Sequence, residues 1–194
     1  KARPTALGLA FLPEEDLYCA VLSDLSIAFF TREFLHLSGK VDTGNSSRND
    51  PSHAVGQQYH LAWGAQARLL FTCGAAPAVH AWAVTYDPEL KRHGLAHMHR
   101  LRRHTDMVQA LMVIDWDDAS LLVSAGLDRK IHLWSTEKPQ WQGTRAGHQA
   151  GVRSLAYDPR GEGLLLSAGF ERDVLVWDVW GTLPHPLLRL VGHR

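Results

Sequence analysis

The sequence predicts an all-β protein built from repeated units of short antiparallel strands. Residues 124–134 read SAGLDRKIHLW and residues 167–177 read SAGFERDVLVW, so nearly the same segment returns after forty-three positions. The strand endings IHLW and VLVW are apolar at nearly every position, which is typical of strands covered on both faces. The sequence lacks the amphipathic stretches that a helical solenoid or a βαβ fold requires. A period of about 40 to 45 residues with short strands is the signature of propeller blades.

The composition is that of an ordinary globular protein with its own core. Of the 194 residues, 45% are hydrophobic and 21% are charged, and 20 basic side chains balance 20 acidic ones. The zero net charge provides no long-range attraction to nucleic acid or to an anionic membrane. The sequence has no apolar run of transmembrane length and no signal peptide, and it begins with lysine. We therefore expect an intracellular, cytoplasmic fragment of a longer protein that contacts no membrane.

The first unit, at residues 6–30, is irregular. Phe30 stands where later units have tryptophan, and Asp24 precedes it by six positions. The following stretch at 38–53, SGKVDTGNSSRNDPSH, is polar and has no apolar periodicity. We predict a surface loop there, at the junction with the second unit. The loop is either a partner-specific arm or filler, and we favour filler because the stretch offers no anchor residue for a partner.

The later units become progressively more regular. The second, at residues 58–82, keeps Thr72 and Trp82 ten positions apart. The third and fourth open with His104 and His148, and each continues with three apolar runs separated by polar turns and ends in tryptophan. These spacings divide the chain into about four units, at residues 1–52, 53–103, 104–147 and 148–191, with the start of a fifth at 192–194.

The regular units resemble the WD40 repeat family. The resemblance depends on Gly147-His148, on Trp177-Asp178, and on His104, Asp128 and Trp134. It is strong over 103–194 and weaker over 5–84. It implies a WD40-type β-propeller segment of four-stranded antiparallel blades. Because family members usually close a ring of about seven blades, it also implies an incomplete ring whose remaining blades come from the parent chain or a partner.

The resemblance implies a hydrogen-bonded set of four side chains in each regular blade, in which tryptophan meets serine, serine meets histidine, and histidine meets an acid in a tight turn. Matched by position, the two sets are His104, Ser124, Asp128 and Trp134 in the third unit, and His148, Ser167, Glu171 and Trp177 in the fourth. Glu171 stands where the family has aspartate, and we expect the longer carboxylate to tilt or break its link to histidine. The second unit has Trp82, Thr72 and a candidate His53, with Ala76 in place of the acid.

The family resemblance also implies a function, which is to bind protein or peptide partners on the face where the histidine loops and tight turns emerge. The corresponding positions here are Met107, Gln109, Leu127, Gly151, Arg153 and Phe170, with Gly56, Gln58, Ala75 and Ser23 in the weaker units. Methionine, aromatic and arginine side chains are enriched in interface cores. We therefore predict a non-catalytic interaction scaffold. The irregular early units also resemble those of long ciliary and cytoskeletal WD-repeat proteins.

A catalytic interpretation is less favoured. Ser124, His104 and Asp128 are the residue types of a hydrolase triad, but Ser124 lies in mid-strand, and a similar set recurs one unit later. A nucleophilic serine is usually found on a strained turn beside an oxyanion hole. We therefore predict no enzyme activity.

A basic stretch offers a second function, binding of an anionic ligand or nucleic acid. Five cationic residues lie within residues 91–103: Lys91, Arg92, Arg100, Arg102 and Arg103. The alternative is an exposed outer strand protected by charge against edge pairing, and we favour it, so nucleic acid is not the expected partner.

No metal or cofactor site is predicted. His97 and His99 would lie on one face of a strand, but no third ligand accompanies them. Cys19 and Cys73 lie in apolar runs without CxxC spacing, so we expect buried thiols rather than a zinc site or a disulfide.

Overall fold

The computed structural model describes residues 3–33, 37–43, 55–116, 118–160 and 163–192. They form four antiparallel sheets of four strands each. The strands of blade 1 are β1 Ala6–Leu12, β2 Leu17–Leu22, β3 Ser26–Thr31 and β4 Leu37–Asp42, and those of blade 2 are β5 Gln58–Gly64, β6 Leu69–Gly74, β7 Val79–Asp87 and β8 Arg92–Leu101. Blade 3 contains β9 Val108–Trp116, β10 Ala119–Gly126, β11 Lys130–Ser135 and β12 Trp141–Ala146, and blade 4 contains β13 Val152–Asp158, β14 Leu164–Gly169, β15 Asp173–Asp178 and β16 Leu188–Val191. The predicted all-β fold of four-stranded blades is confirmed.

The blades follow one another around a common axis as a β-propeller segment. Within each blade the strands pair in chain order. The first strands of successive blades contact each other, β1 with β5, β5 with β9 and β9 with β13. A three-residue 3-10 helix, Pro13–Glu15, connects β1 to β2. Among the described residues, no helix is long and apolar enough to cross a membrane.

The apolar core is divided into three clusters, one at each junction between neighbouring blades. In each cluster a tryptophan from the third strand of the later blade packs against the earlier blade: Trp82, Trp134 and Trp177 are at most 3% exposed. Phe30 has the corresponding position in blade 1 and remains partly exposed, because no earlier blade covers it among the described residues. The repeated tryptophan is therefore a contact between blades as well as a strand residue.

The polar stretch at 38–53 is only partly a loop, and the prediction there is wrong at its start. Leu37–Asp42 forms β4, the outer strand of blade 1, and Gly39 and Lys40 pair with Phe29 and Ala28. An outer strand lacks the apolar pattern of a covered strand, which is why the sequence suggested a loop. The rest of the stretch, including the candidate His53, lies outside the described residues.

A β-bulge disturbs the pairing of the third and fourth strands in blades 1, 2 and 3, always at the tryptophan or phenylalanine position. In blade 2 it places His97 opposite Trp82 and His99 opposite Ala81. Trp82 and Ala81 are consecutive in β7, so their side chains point to opposite faces. The expectation that His97 and His99 share a face is therefore wrong.

The two end blades present apolar side chains to solvent. In blade 1 these are Leu7 and Leu9 of β1, which are 40% and 73% exposed. In blade 4, Leu188 and Leu190 of β16 are exposed in the same way. Exposed apolar residues in such number are typical of surfaces that another element covers.

Candidate protein-interaction face

A hydrogen-bonded chain of four side chains supports the loops of blade 3. The Trp134 indole N–H donates to Ser124 Oγ at 2.9 Å, and the Ser124 hydroxyl is 2.9 Å from His104 Nε2. His104 Nδ1 lies 2.9 Å from Asp128 Oδ2, which also accepts the Thr105 backbone N–H at 3.0 Å. The chain thus links the middle of the sheet to the turn after β10 and the loop before β9.

The corresponding chain of blade 4 is complete as well. Trp177 Nε1 donates to Ser167 Oγ at 2.7 Å, and that hydroxyl lies 2.6 Å from His148 Nε2. Glu171 contacts His148 Nδ1 and accepts the Gln149 backbone N–H at 2.9 Å. The longer carboxylate was expected to tilt or break this link, and the break is wrong, since the Glu171 side chain reaches both groups from its turn.

The two earlier blades hold only parts of such a chain. In blade 2, Trp82 Nε1 donates to Thr72 Oγ1 at 2.9 Å. In blade 1, Asp24 binds Ser26 and the Lys40 ammonium instead of a histidine. The polar support of the loops is thus strongest in blades 3 and 4.

Ser124 has no geometry for nucleophilic catalysis. Its side chain is fully buried, and its hydroxyl is engaged by both Trp134 and His104. Burial of the Asp128 carboxyl acts to raise its pKa, but its hydrogen bonds outweigh that effect, above all the one from His104, so the pKa lies below its usual range. The geometry is that of a structural network with an ionised acid at its end.

One further histidine lies beside this network. The ring of His132 stands edge-on to that of His104, with centroids 4.5 Å apart, and its Nδ1 is 2.8 Å from Thr144 Oγ1. His104, Asp128 and His132 each place one potential metal-ligating atom within 4.8 Å of the others, the one such group among the described residues. Because Ser124 and Asp128 already occupy both ring nitrogens of His104, a metal ion would have to displace the network.

We expect acid to destabilise the protein through His132. Burial, together with the neighbouring His104, lowers the His132 pKa from 6.5 to about 4. Between about pH 6.5 and about pH 4, His132 is therefore protonated in the unfolded chain and neutral in the folded protein. The free energy of unfolding consequently falls as the pH drops through this range. His132 contributes roughly 2 to 3 kcal/mol of this loss. Urea unfolding at about pH 6.5 and about pH 4 measures this fall in the free energy of unfolding. For the His132→Gln variant the fall should be smaller by this amount, whereas for His185→Gln, at an exposed position, it should equal that of the unchanged protein.

The residues predicted to meet a partner lie around the turns after β10 and β14. Phe170 is 62% exposed, and the Arg153 guanidinium lies over its ring at 5.3 Å from the centroid. Leu127 is half-buried, because it packs against Gly151, where an added Cβ would lie 2.8 Å from its Cδ2. Phe170, Arg153, Leu127 and Gly151 therefore form one continuous surface, called the loop face below.

The other predicted contact residues differ in exposure. Met107 and Gln109 are half-buried. Gln58 is 2% exposed, and its amide donates to the carbonyl groups of Val55 and Gly56. The prediction that Gln58 lies on the partner surface is therefore wrong, because its side chain is buried and hydrogen-bonded to the backbone of the preceding loop.

The basic stretch does not form one patch. Lys91 and Arg92 lie at the beginning of β8, while Arg100 and Arg102 lie at its end. At roughly 3.3 Å per residue, the strand separates these two groups by about 30 Å. Arg103 places its guanidinium over the Trp141 ring, 4.4 Å from the centroid. The five cations are thus divided between opposite ends of blade 2.

Sequence comparison places these blades in a known family. The sequence profile of the WD domain, G-beta repeat, matches residues 96–135 and 140–178, which carry the hydrogen-bonded chains of blades 3 and 4. The repeats at 96–135 and 140–178 belong to the WD40-repeat family. The chain is 31% identical over 150 residues to Protein HIR1 of Chaetomium globosum, an alignment that spans 75% of this chain and 13% of HIR1.

WD40 propellers of known structure resemble the four-blade segment. The structure of U3-55K aligns with 100% of the chain at a TM-score of 0.73 and 17% identity, and the chain spans 54% of it. The WD40 repeats of RRP9 align with 92% of the chain at a TM-score of 0.69 and 17% identity, and the chain spans 49% of them. At such low identity, these two alignments establish a shared fold.

Proposed function

We propose that this WD40 segment is a non-catalytic scaffold that binds a protein or peptide on the loop face. The observation that carries the proposal is the exposed Phe170 ring with Arg153 stacked on it. A large apolar ring is costly to leave in water, whereas aromatic and arginine side chains are enriched among the residues that dominate interface energies. This pair is therefore the expected anchor.

The support beneath the pair favours rigid recognition. Glu171, the residue after Phe170, binds His148, and the Leu127 side chain packs against Gly151 in the next loop. Loops held in this way lose little conformational entropy when a partner binds. Met107 and Gln109 extend the proposed surface towards blade 3.

The proposed scaffold role includes completion of the ring by further blades, from the parent chain or from a partner. The exposed leucines of β1 and β16 support this proposal, as does the fact that the chain spans 13% of HIR1 and about half of the two solved propellers.

An intracellular location remains a prediction. The names of the matched proteins lend no support to a cilium or the cytoskeleton, and the divided basic stretch does not favour an anionic ligand.

Replacement of Phe170 by alanine tests the proposal. We expect a partner captured from cells by the full-length protein, and then purified, to bind the Phe170→Ala variant at least tenfold more weakly, as loss of an interface anchor predicts. Titration calorimetry measures the affinities. Met98→Ala is the matched control, because Met98 is 51% exposed on the outer strand β8, away from the loop face. Equal affinity of the Phe170→Ala variant and the unchanged protein would contradict the proposal.

A further inference from the structure

A cavity lies between blades 3 and 4 at the end of the strands opposite to the loop face. Its volume is about 780 Å³. It is lined by the start of β10, the end of β11, the start of β12 and the loop at residues 179–184 that follows β15. The turns of the loop face lie at the other ends of β10 and β11, so the two surfaces are separated by the length of the blade.

A buried arginine forms one side of this cavity. Arg145 of β12 is 4% exposed. Its Nε and Nη2 groups donate to the carbonyl oxygens of Asp178, Val179 and Gly181 at 2.6 to 3.2 Å. It forms no ion pair with any residue in the described parts of the chain, although burial of an unpaired charge is costly. The neighbouring acid, Asp178, uses its carboxylate to accept the backbone N–H groups of Trp180 and Gly181.

Three polar groups in the cavity wall lack partners in the described structure, and one of them is the Trp180 indole N–H. Arg145 Nη1 makes no hydrogen bond to the described residues, and an added Cβ on Gly143 would lie 3.6 Å from it. Ser120 is 8% exposed, and its Oγ likewise has no hydrogen-bond partner in the described structure. A cationic donor and a hydroxyl are the groups that a carboxylate binds well.

The rest of the wall is mixed. Trp141 and Trp180 are large aromatic residues of the wall, and Leu133 adds an apolar surface. Asp118 and Glu137 also line the cavity and carry negative charge. Their charge disfavours a polyanion such as nucleic acid. A peptide with one carboxylate and with apolar and basic neighbours would instead place negative charge beside Arg145 and positive charge beside the two acids.

We propose that this cavity is a second binding site, which takes one acidic side chain of a partner peptide between apolar and basic neighbours. The carboxylate accepts hydrogen bonds from Arg145 Nη1 and the Ser120 hydroxyl, and the apolar neighbours lie against the two tryptophans. The site is independent of the loop face, so the chain could hold two peptide segments at once, one at each end of the blades.

Gly143 offers a direct test. Its backbone has an ordinary conformation, and an added Cβ meets only Arg145 Nη1, at van der Waals distance. Gly143→Asp therefore places a carboxylate where the peptide acid would bind, and Gly143→Asn places a neutral group of the same shape there. We would select binders from a random nine-residue peptide library on the purified full-length protein and on both variants, and measure affinities by calorimetry.

We expect peptides selected on the unchanged protein to share an acidic residue, to bind Gly143→Asn, and to bind Gly143→Asp at least tenfold more weakly. Exchange of the peptide's own glutamate for glutamine should weaken binding to the unchanged protein at least tenfold, a result that does not depend on how any variant folds. Selection without a shared acidic residue, equal affinity for both Gly143 variants, or indifference to the glutamine exchange would overturn the proposal. The proposal would also be overturned if Phe170→Ala, and neither Gly143 variant, weakened binding of the selected peptides, because such peptides occupy the loop face.

Discussion

Replacement of Trp177 by alanine is expected to lower the free energy of unfolding by about 3 to 5 kcal/mol. Trp177 is fully buried between blades 3 and 4, and its indole donates a hydrogen bond to Ser167 Oγ. The substitution therefore opens a large cavity in the core and leaves the Ser167 hydroxyl with one partner fewer. Urea unfolding followed by circular dichroism measures the loss.

Trp116→Ala is the matched control for this change, because Trp116 is 37% exposed at the end of β9. We expect it to cost less than about 1.5 kcal/mol, since little cavity forms at a surface site. If the two variants were equally destabilised, the tryptophan at the end of the third strand would not be the contact that joins neighbouring blades.

Replacement of Arg145 by methionine is expected to cost about 4 kcal/mol. Methionine preserves much of the side-chain volume but removes the donors to the carbonyl oxygens of Asp178, Val179 and Gly181. Unsatisfied buried acceptors each cost about 1 to 3 kcal/mol, with partial relaxation of the loop. Chemical unfolding checks the stability, and proteolysis within residues 179–184 checks whether the loop has been released.

Arg189→Met provides the comparison, because Arg189 pairs with Asp173 near the surface. Exposed ion pairs contribute about 0 to 1 kcal/mol, so this variant should remain close to the unchanged protein. An Arg145→Met variant as stable as Arg189→Met would mean that the guanidinium does not hold the loop after β15 against blade 3.

The sequence predicted the repeating architecture well, because its signals are local and repeated. The His104 and His148 positions, the serines ten residues before Trp134 and Trp177, and the apolar third strands all recur at a fixed spacing. Only a repeated structural unit makes such recurrence necessary. The same recurrence distinguishes Ser124 from a catalytic serine.

The predictions fail where the outcome depends on one side-chain contact or on one irregularity of the backbone. Glu171 and Gln58 differ from expectation because a side chain can reach a partner that spacing does not reveal. The period-two alternation of a regular strand predicts one face for His97 and His99, but a bulge interrupts that alternation. The polar sequence of β4 predicts a loop, because an outer strand with solvent on one side needs no apolar pattern.

Blade number, strand order and the spacing of the repeated tryptophans follow from the sequence alone, because hydrophobic period and residue spacing are properties of the chain. The exposure of the loop-face residues and the Arg145 cavity do not. Arg145 stands in WQGTRA as an unremarkable strand residue, and Ser120 and Trp180 lie 25 and 35 positions from it. Ser120 and Arg145 share blade 3, and the stacking of blade 4 on blade 3 brings Trp180 to them. The same stacking buries the guanidinium against three carbonyl oxygens and leaves its last donor beside an open cavity. Contacts between blades depend on the twist and distance of two sheets, which no local pattern encodes.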